Sequence, residues 1–323
     1  MTRIPSHTSD IPGVVPPDLL IFLRLPKTGG NTMDQVLQHC FPGHCFYPHE
    51  LVVRSALLVR PTAGIAEKFR QLTVEEQRSI RCLIGTHVAM DVDTIFNRPS
   101  KFFAVVRHPV DRVISSFFHN RTESHLISYP FIKDLSLEQY LESGIGLDVD
   151  NHQVRVLSGC PELDAPWDPN GQPISAQPVE PRHLELAKHN IERRFIAAAA
   201  LEQFTALIWF LKRLYGWPLH RVIFRRHNEN AGRKTAADEG RPSLDLVSAA
   251  ARQRLAEMNR YDMELYAWVR ERFAQQIRPL EPRFSRDVRR FEMVNAAAQK
   301  LYGTAPDSVR KLASQILYVR RVS

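Results

Sequence analysis

The stretch Leu25-Pro26-Lys27-Thr28-Gly29-Gly30-Asn31-Thr32 gathers the residue types that hold an oxyanion. Adjacent glycines allow a tight turn that brings backbone N–H groups against an anion. A helix starting behind them adds the positive end of its dipole. Lys27 supplies a mobile point charge, and Thr28, Asn31 and Thr32 supply side-chain donors. The order is not that of the magnesium-nucleotide loop G-x-x-x-x-G-K-[ST], because Lys27 precedes the glycines. A phosphate or a sulfate fits this pattern. The plainer reading is a turn whose glycines only permit a bend.

A second candidate lies in Val106-Arg107-His108-Pro109-Val110-Asp111-Arg112-Val113-Ile114-Ser115. Arg107 follows an apolar run of strand character, so it stands at the carboxyl end of a strand, the edge where open α/β sheets take ligands. Its guanidinium fork suits two-pronged contact with a phosphate. Ser115 lies about two helical turns on and offers a hydroxyl to the same group. Arg112 either joins them or pairs with Asp111. The competing reading makes Arg107 an ordinary salt-bridge residue.

A proton acceptor is available in Gly85-Thr86-His87-Val88, since an imidazole titrating near 6.5 takes a hydroxyl proton at neutral pH. Asp91, Asp93 and Glu50 are its competitors, and a hydrogen-bonded structural histidine is the bland alternative. Asn151, Gln153 and Arg155 are candidate acceptor or cofactor contacts, or else residues that cap structure. Asn228, Asn230, Arg233 and Lys234 occupy a polar loop. The local set His39, Cys40, His44, Cys45 and His49 matches no paired zinc spacing, so no metal is expected.

Segments of strand and helix character alternate, which predicts a mostly parallel central sheet flanked by helices. Strands are expected at Leu19–Leu25, Arg81–Gly85, Lys101–Arg107, Phe195–Leu201 and Arg221–Arg225. After the first, Met33, Val36, Leu37 and Cys40 recur at helical spacing from near Asn31. After the third, Pro109 opens a helix whose stripe is Val110, Val113, Ile114, Phe117 and Phe118. Leu207, Ile208, Leu211 and Leu214 form another. The expected organisation is a Pro-rich N-terminal tail at 1–17, one ligand-binding domain at 18–278, and a basic helical extension at 279–323. Residues 159–182 carry enough proline for a long irregular loop, the kind that in compact domains serves function.

The 323 residues suffice for one large α/β domain, and 44% hydrophobic with 24% charged residues excludes a largely disordered or fibrous chain. A net charge of +8 suits polyanionic small ligands. No Lys/Arg cluster interleaved with aromatics appears on one helix, so nucleic acid is not an expected partner. The start has no apolar core of signal-peptide length, and no apolar run reaches the roughly 18 residues a bilayer requires. A cytoplasmic protein is therefore expected, its cysteines Cys40, Cys45, Cys82 and Cys160 free thiols. Oligomeric state is not legible.

Taken together, the two anion motifs resemble those of sulfotransferases that use 3'-phosphoadenosine 5'-phosphosulfate (PAPS). The resemblance is to the membrane-type and bacterial branch that includes heparan sulfate O-sulfotransferases. The family's 5'-phosphosulfate loop, P-K-[TS]-[GA]-[GS]-x-[TS], is matched by Pro26 to Thr32. Its 3'-phosphate motif, V-R-D-P-x-x-R-x-x-S, is matched by Val106 to Ser115 except at His108, where the family has Asp. Gly85-Thr86-His87-Val88 resembles the family's G-H-x segment, Asn151 to Gly159 its N-x-Q-x-R-x-L-x-G segment, and Tyr261 to Tyr266 its D-x-x-L-Y helix. The resemblance implies a P-loop-like three-layer α/β fold and sulfuryl transfer from PAPS to a hydroxyl; the acceptor is not legible, an acidic carbohydrate suiting the basic surplus while lipids and small phenols stay open. It implies that Lys27 to Thr32 hold the 5'-phosphosulfate, that Arg107 and Ser115 hold the 3'-phosphate, and that Lys27 and His87 are catalytic. The product would be 3',5'-diphosphoadenosine, with no metal. The rivals are a P-loop kinase or NTPase, and a nucleotide-binding protein without chemistry.

Overall fold

The structure is a computed structural model that describes residues 11, 13–48, 62–86, 88–124, 126, 128–143, 149–163, 177–225 and 247–304. Its strands are β1 (Leu19–Arg24), β2 (Cys45–Phe46), β3 (Cys82–Thr86), β4 (Ser100–Val106) and β5 (Phe195–Ala200). The first helices are α1 (Gly30–Cys40), α2 (Thr62–Gln71), α3 (Val74–Ser79), α4 (Pro109–Asn120), α5 (Tyr129–Ile132) and α6 (Leu137–Glu142). There follow α7 (His152–Ser158), α8 (Pro181–Arg194), α9 (Phe204–Tyr215), α10 (Leu219–Val222), α11 (Ala249–Met258), α12 (Arg260–Ile277) and α13 (Arg283–Thr304).

The strands form one five-stranded sheet in the order β2-β3-β1-β4-β5, and every pairing is parallel. Successive side chains of a strand face opposite sides, and the core divides on that period. Leu20, Phe22, Phe103, Val105, Ala197 and Ala199 pack on one face with α1, α9 and α13. Leu19, Ile21, Leu23, Ala104, Val106 and Ala200 pack on the other with α7, α8 and α12. Phe22 stacks on Phe103 across the β1–β4 pair at 4.8 Å. These are the three layers the apolar runs predict. Phe284, Val288 and Phe291 of α13 lie in the same core as Leu207 and Phe210, so the start of the basic C-terminal stretch is part of this packing.

Two expectations change. Arg221–Arg225 forms no strand: Leu219–Val222 turns as α10 behind Pro218, and Phe224 N–H is taken by Asn295 Oδ1 at 2.9 Å instead of by a strand. Its apolar residues serve packing, Val222 and Phe224 being buried in the core. The remaining strand, Cys45–Phe46, is not among those expected and lies among the local set of histidines and cysteines. There Cys45 Sγ is directed at the carbonyls of Leu37 and Phe41, and Cys40 Sγ at that of Arg221. His49, Asn228, Asn230, Arg233, Lys234, most of the Pro-rich loop (164–176) and 305–323 lie outside the described residues.

A buried polar knot fastens α7 to α12. Asp262, in the first turn of α12, accepts from Gln153 N (3.0 Å) and Val154 N (2.8 Å) at the start of α7. Asn151, before α7, accepts through Oδ1 from Tyr261 N (2.9 Å) and Asp262 N (3.0 Å). Each helix thus caps the other's orphan N–H groups. Asn151 adopts a left-handed φ of 44°, and Asn259 Oδ1 receives its N–H at 3.0 Å. Burial raises the Asp262 pKa, while the charge of Arg112 and the two backbone N–H groups pull it down. Replacing Asp262 by Ala removes two charge-assisted hydrogen bonds and the carboxylate facing buried Arg112. We expect it to lower unfolding free energy by about 3–5 kcal/mol in denaturant titration; a loss under about 1 kcal/mol would contradict this role.

Candidate functional site

β1 lies between β3 and β4, and the chain leaves β1 toward β2 on one side but β4 toward β5 on the other. The carboxyl ends of β1 and β4 therefore flank the point where strand order reverses, where such sheets open a crevice for ligands. Both anion motifs are at this point, because Lys27 follows β1 and Arg107 follows β4.

In the first loop Thr28 turns inward, buried, its Oγ1 donating to Leu25 O at 2.9 Å. The loop closes through its own threonine, so that hydroxyl serves the turn. Lys27 holds φ at 65° and Gly29 at 86°; a positive φ is uncommon outside glycine, and where a lysine holds it the surroundings must enforce it. The first bonds of α1 are Thr32 N and Met33 N to Gly29 O, 3.1 and 3.2 Å. The preceding N–H groups of Gly30 and Asn31 have no acceptor within the helix and stand at its positive end.

A residue absent from the motif braces this loop. Arg24 Nη1 donates to Asp34 Oδ2 at 2.7 Å, and its Nη2 donates to Asn31 Oδ1. The side chain passes over Gly30 so closely that a Cβ there would sit 2.3 Å from Arg24 Nε. Gly30 is small to admit Arg24, and Gly29 supplies the left-handed turn. Burial pushes the Asp34 carboxyl up to about 6, against the pull of Arg24.

Arg107 is half-buried, and its Nη1 donates to Lys27 O at 3.1 Å, which ties the two motifs together. Burial lowers its pKa, while Asp111 and Glu202 hold the charge in place and Arg112 opposes it. Ser115 is half-buried on α4 at i+4 from Asp111, hence on the same face of that helix. His108, the departure from the family pattern, meets Tyr266 edge-on at 5.5 Å. Burial and the neighbouring Glu202 push the Tyr266 hydroxyl up to about 12, so it stays protonated. Glu202 and Tyr266 had no sequence signal beyond the D-x-x-L-Y echo.

The remaining predicted residues divide. His87 and Glu50 lie outside the described residues. Thr62 Oγ1 donates to Asp91 at 2.6 Å, and Asp93 pairs with Arg194 at 2.8 Å. Asn151, Gln153 and Arg155 are buried, and their bonds run to protein: Arg155 Nε to Asp150 O at 2.7 Å and Nη2 to Asp150 Oδ2 at 2.5 Å. Away from the crevice, Cys160, Glu162 and His183 bring potential metal ligands within 4.8 Å of one another. Glu180 N donates to His183 Nδ1 at 2.9 Å, which leaves the ring proton on Nε2, facing Glu162 Oε1 at 3.5 Å. A ring so held presents an N–H, not a lone pair, to that group.

The brace sets a pH dependence. Folded Asp34 keeps its proton to about pH 6, whereas the unfolded carboxyl releases it near 3.8. The folded state therefore binds more protons between these values, and stability falls as pH rises from 4 to 6, by up to about 3 kcal/mol. Denaturant titrations across this range should show that slope in the wild type and a flatter profile in Asp34→Asn. An unchanged slope in the variant would contradict the assignment.

Residues 14–145 match a family model described as the sulfotransferase family. No curated protein matches the chain. The matched stretch runs from before β1 to just past α6 and holds both anion motifs, Lys27 to Thr32 and Arg107 with Ser115. It ends before Asn151 and Tyr261. With its motifs meeting at the switch point of a parallel α/β sheet, this stretch is similar to the sulfotransferase family.

Proposed function

We propose that the protein transfers the sulfuryl group of PAPS to a hydroxyl acceptor, with an acidic carbohydrate the favoured class. The match of residues 14–145 to the sulfotransferase family supports sulfuryl transfer in general; donor, acceptor and roles are our reading. The observation that carries it is the Arg107 Nη1 to Lys27 O bond of 3.1 Å, which joins the two cationic motifs at one sheet edge. A nucleotide phosphorylated at both 5' and 3' positions needs such a pair, and ATP does not. The donor set fits such a ligand: backbone N–H groups, an ammonium and a guanidinium around the crevice.

In this reading the loop from Thr28 to Thr32 binds the 5'-phosphosulfate, through the N–H groups that precede the first bond of α1, those of Gly30 and Asn31 foremost. Lys27 neutralises charge on the phosphate oxygen that leaves as its bond to sulfur breaks, and Gly29 and Gly30 let the backbone approach. Arg107 and Ser115 bind the 3'-phosphate. His87, the residue after Thr86 at the end of β3, takes the acceptor proton as the new sulfur–oxygen bond forms. The products are the sulfate ester and 3',5'-diphosphoadenosine. The surplus of +8 favours an anionic acceptor. Among the described residues no helix is long and apolar enough to cross a membrane.

Calorimetry should show 3',5'-diphosphoadenosine binding tightly and ATP weakly, with or without magnesium. Tight binding of ATP alone would overturn the reading. Arg107→Ala should weaken diphosphoadenosine binding about 10- to 100-fold, the loss expected for a charge-assisted contact. Lys27→Ala should both weaken binding and lower turnover by about 100-fold or more. His87→Ala should abolish transfer with nucleotide affinity intact, and full activity in that variant would refute the base assignment.

A further inference from the structure

Gln153 is fully buried beside the crevice, and its side-chain amide grips a single residue from both sides. Arg107 N donates to Gln153 Oε1 at 2.9 Å, and Gln153 Nε2 donates to Arg107 O at 2.9 Å. β4 stops at Val106, the last residue paired with β5. The glutamine amide therefore satisfies both backbone groups of the next residue, as a neighbouring strand would have done.

Gln153 is itself immobilised. Its N–H and that of Val154 are held by Asp262, whose own N–H is capped by Asn151. Asn151 Nδ2 donates to Met258 O at 2.8 Å, and Asn259 Nδ2 to Val149 O at 2.9 Å. A continuous hydrogen-bonded path thus runs from the start of α12 through Asp262 and Gln153 to the Arg107 backbone. From there the Arg107 guanidinium reaches Lys27 O. Groups that bind a ligand productively must be held to within about 0.5 Å, and a long arginine meets that only if its backbone is fixed.

We infer that Gln153 is a positioning residue that aims Arg107 at the 3'-phosphate, with Asp262 and Asn151 fixing Gln153 in turn. The inference rests on the role proposed above for Arg107. It makes Asn151 and Gln153 determinants of nucleotide selectivity that need not touch the nucleotide. A glutamine that merely fills the core would affect stability, and any ligand alike.

Gln153→Met keeps the volume and removes both bonds. Affinities for 3',5'-diphosphoadenosine and for adenosine 5'-monophosphate, which lacks the 3'-phosphate, are measured by calorimetry alongside thermal unfolding. The expected result is an approximately tenfold loss for the diphosphate with the monophosphate unchanged. In an Arg107→Ala background, Gln153→Met should cause no further loss, because both act on one contact. Equal losses for the two nucleotides, or additive losses in the double variant, would overturn the inference. If Gln153→Met does not fold, Gln153→Glu keeps an acceptor for Arg107 N, and its diphosphate loss should fall between wild type and Arg107→Ala. An unchanged preference in Gln153→Glu would overturn the inference. The two failures separate. A preference that survives Arg107→Ala sinks the 3'-phosphate role, and the inference with it. A preference lost in Arg107→Ala but kept in the Gln153 variants sinks the inference alone.

Discussion

The parallel pairing of β1 with β4, Leu19 against Ser100 through Phe22 against Phe103, is the constraint on which the site depends. These strands are far apart in sequence, and only their pairing brings Lys27 and Arg107 to one sheet edge. The pairing is buried on both faces, with Phe22 and Phe103 stacked on one and Ile21 and Phe102 packed on the other. Because the chain leaves the two strands in opposite directions, their carboxyl ends flank a topological switch point, where open α/β sheets take ligands. The crevice is a consequence of topology, and the anion loops are what this sequence puts there.

Polar groups do the fine positioning, at the usual cost of burying them. Asp262 and Arg112 are fully buried and Asn151 nearly so, an arrangement that stabilises only when its partners are all present. Here the partners are the backbone N–H groups of two helix starts, so the same bonds that satisfy the helices lock α7 and α12 together. The Arg24–Asp34 pair does the same for the phosphate loop from the other side. It holds Asn31 and closes over Gly30, and the burial that raises the Asp34 pKa is part of that tight fit. The two braces meet at the Arg107 to Lys27 bond.

What was legible in the sequence was what is local. Lys101–Arg107 and Phe195–Leu201 were continuous apolar runs, and they became β4 and β5 within a residue at each end. The anion loops could be read because each spans ten residues or fewer, and their placement followed from the strands before them. β2 could not be read, since two residues show no period. Arg221–Arg225 has strand-like composition, but Pro218 and the partner Asn295, far along the chain, decide its conformation. The same distance hid the meaning of Asn151 and Gln153. Their partners on α12 are more than 100 residues away, so their residue types signalled importance without saying whether they touch ligand or structure. Arg24 was hidden differently, as the last residue of a strand whose side chain turns back over the loop it precedes.

The proposed ligand bridges the ends of β1 and β4 with a phosphate at each. A crystal structure of the full chain with 3',5'-diphosphoadenosine tests this bridging directly. The 5'-phosphate is expected on the backbone N–H groups between Thr28 and Thr32 with Lys27 beside it, and the 3'-phosphate on Arg107 and Ser115. A nucleotide bound in the reverse sense, or away from the β1–β4 edge, would contradict it.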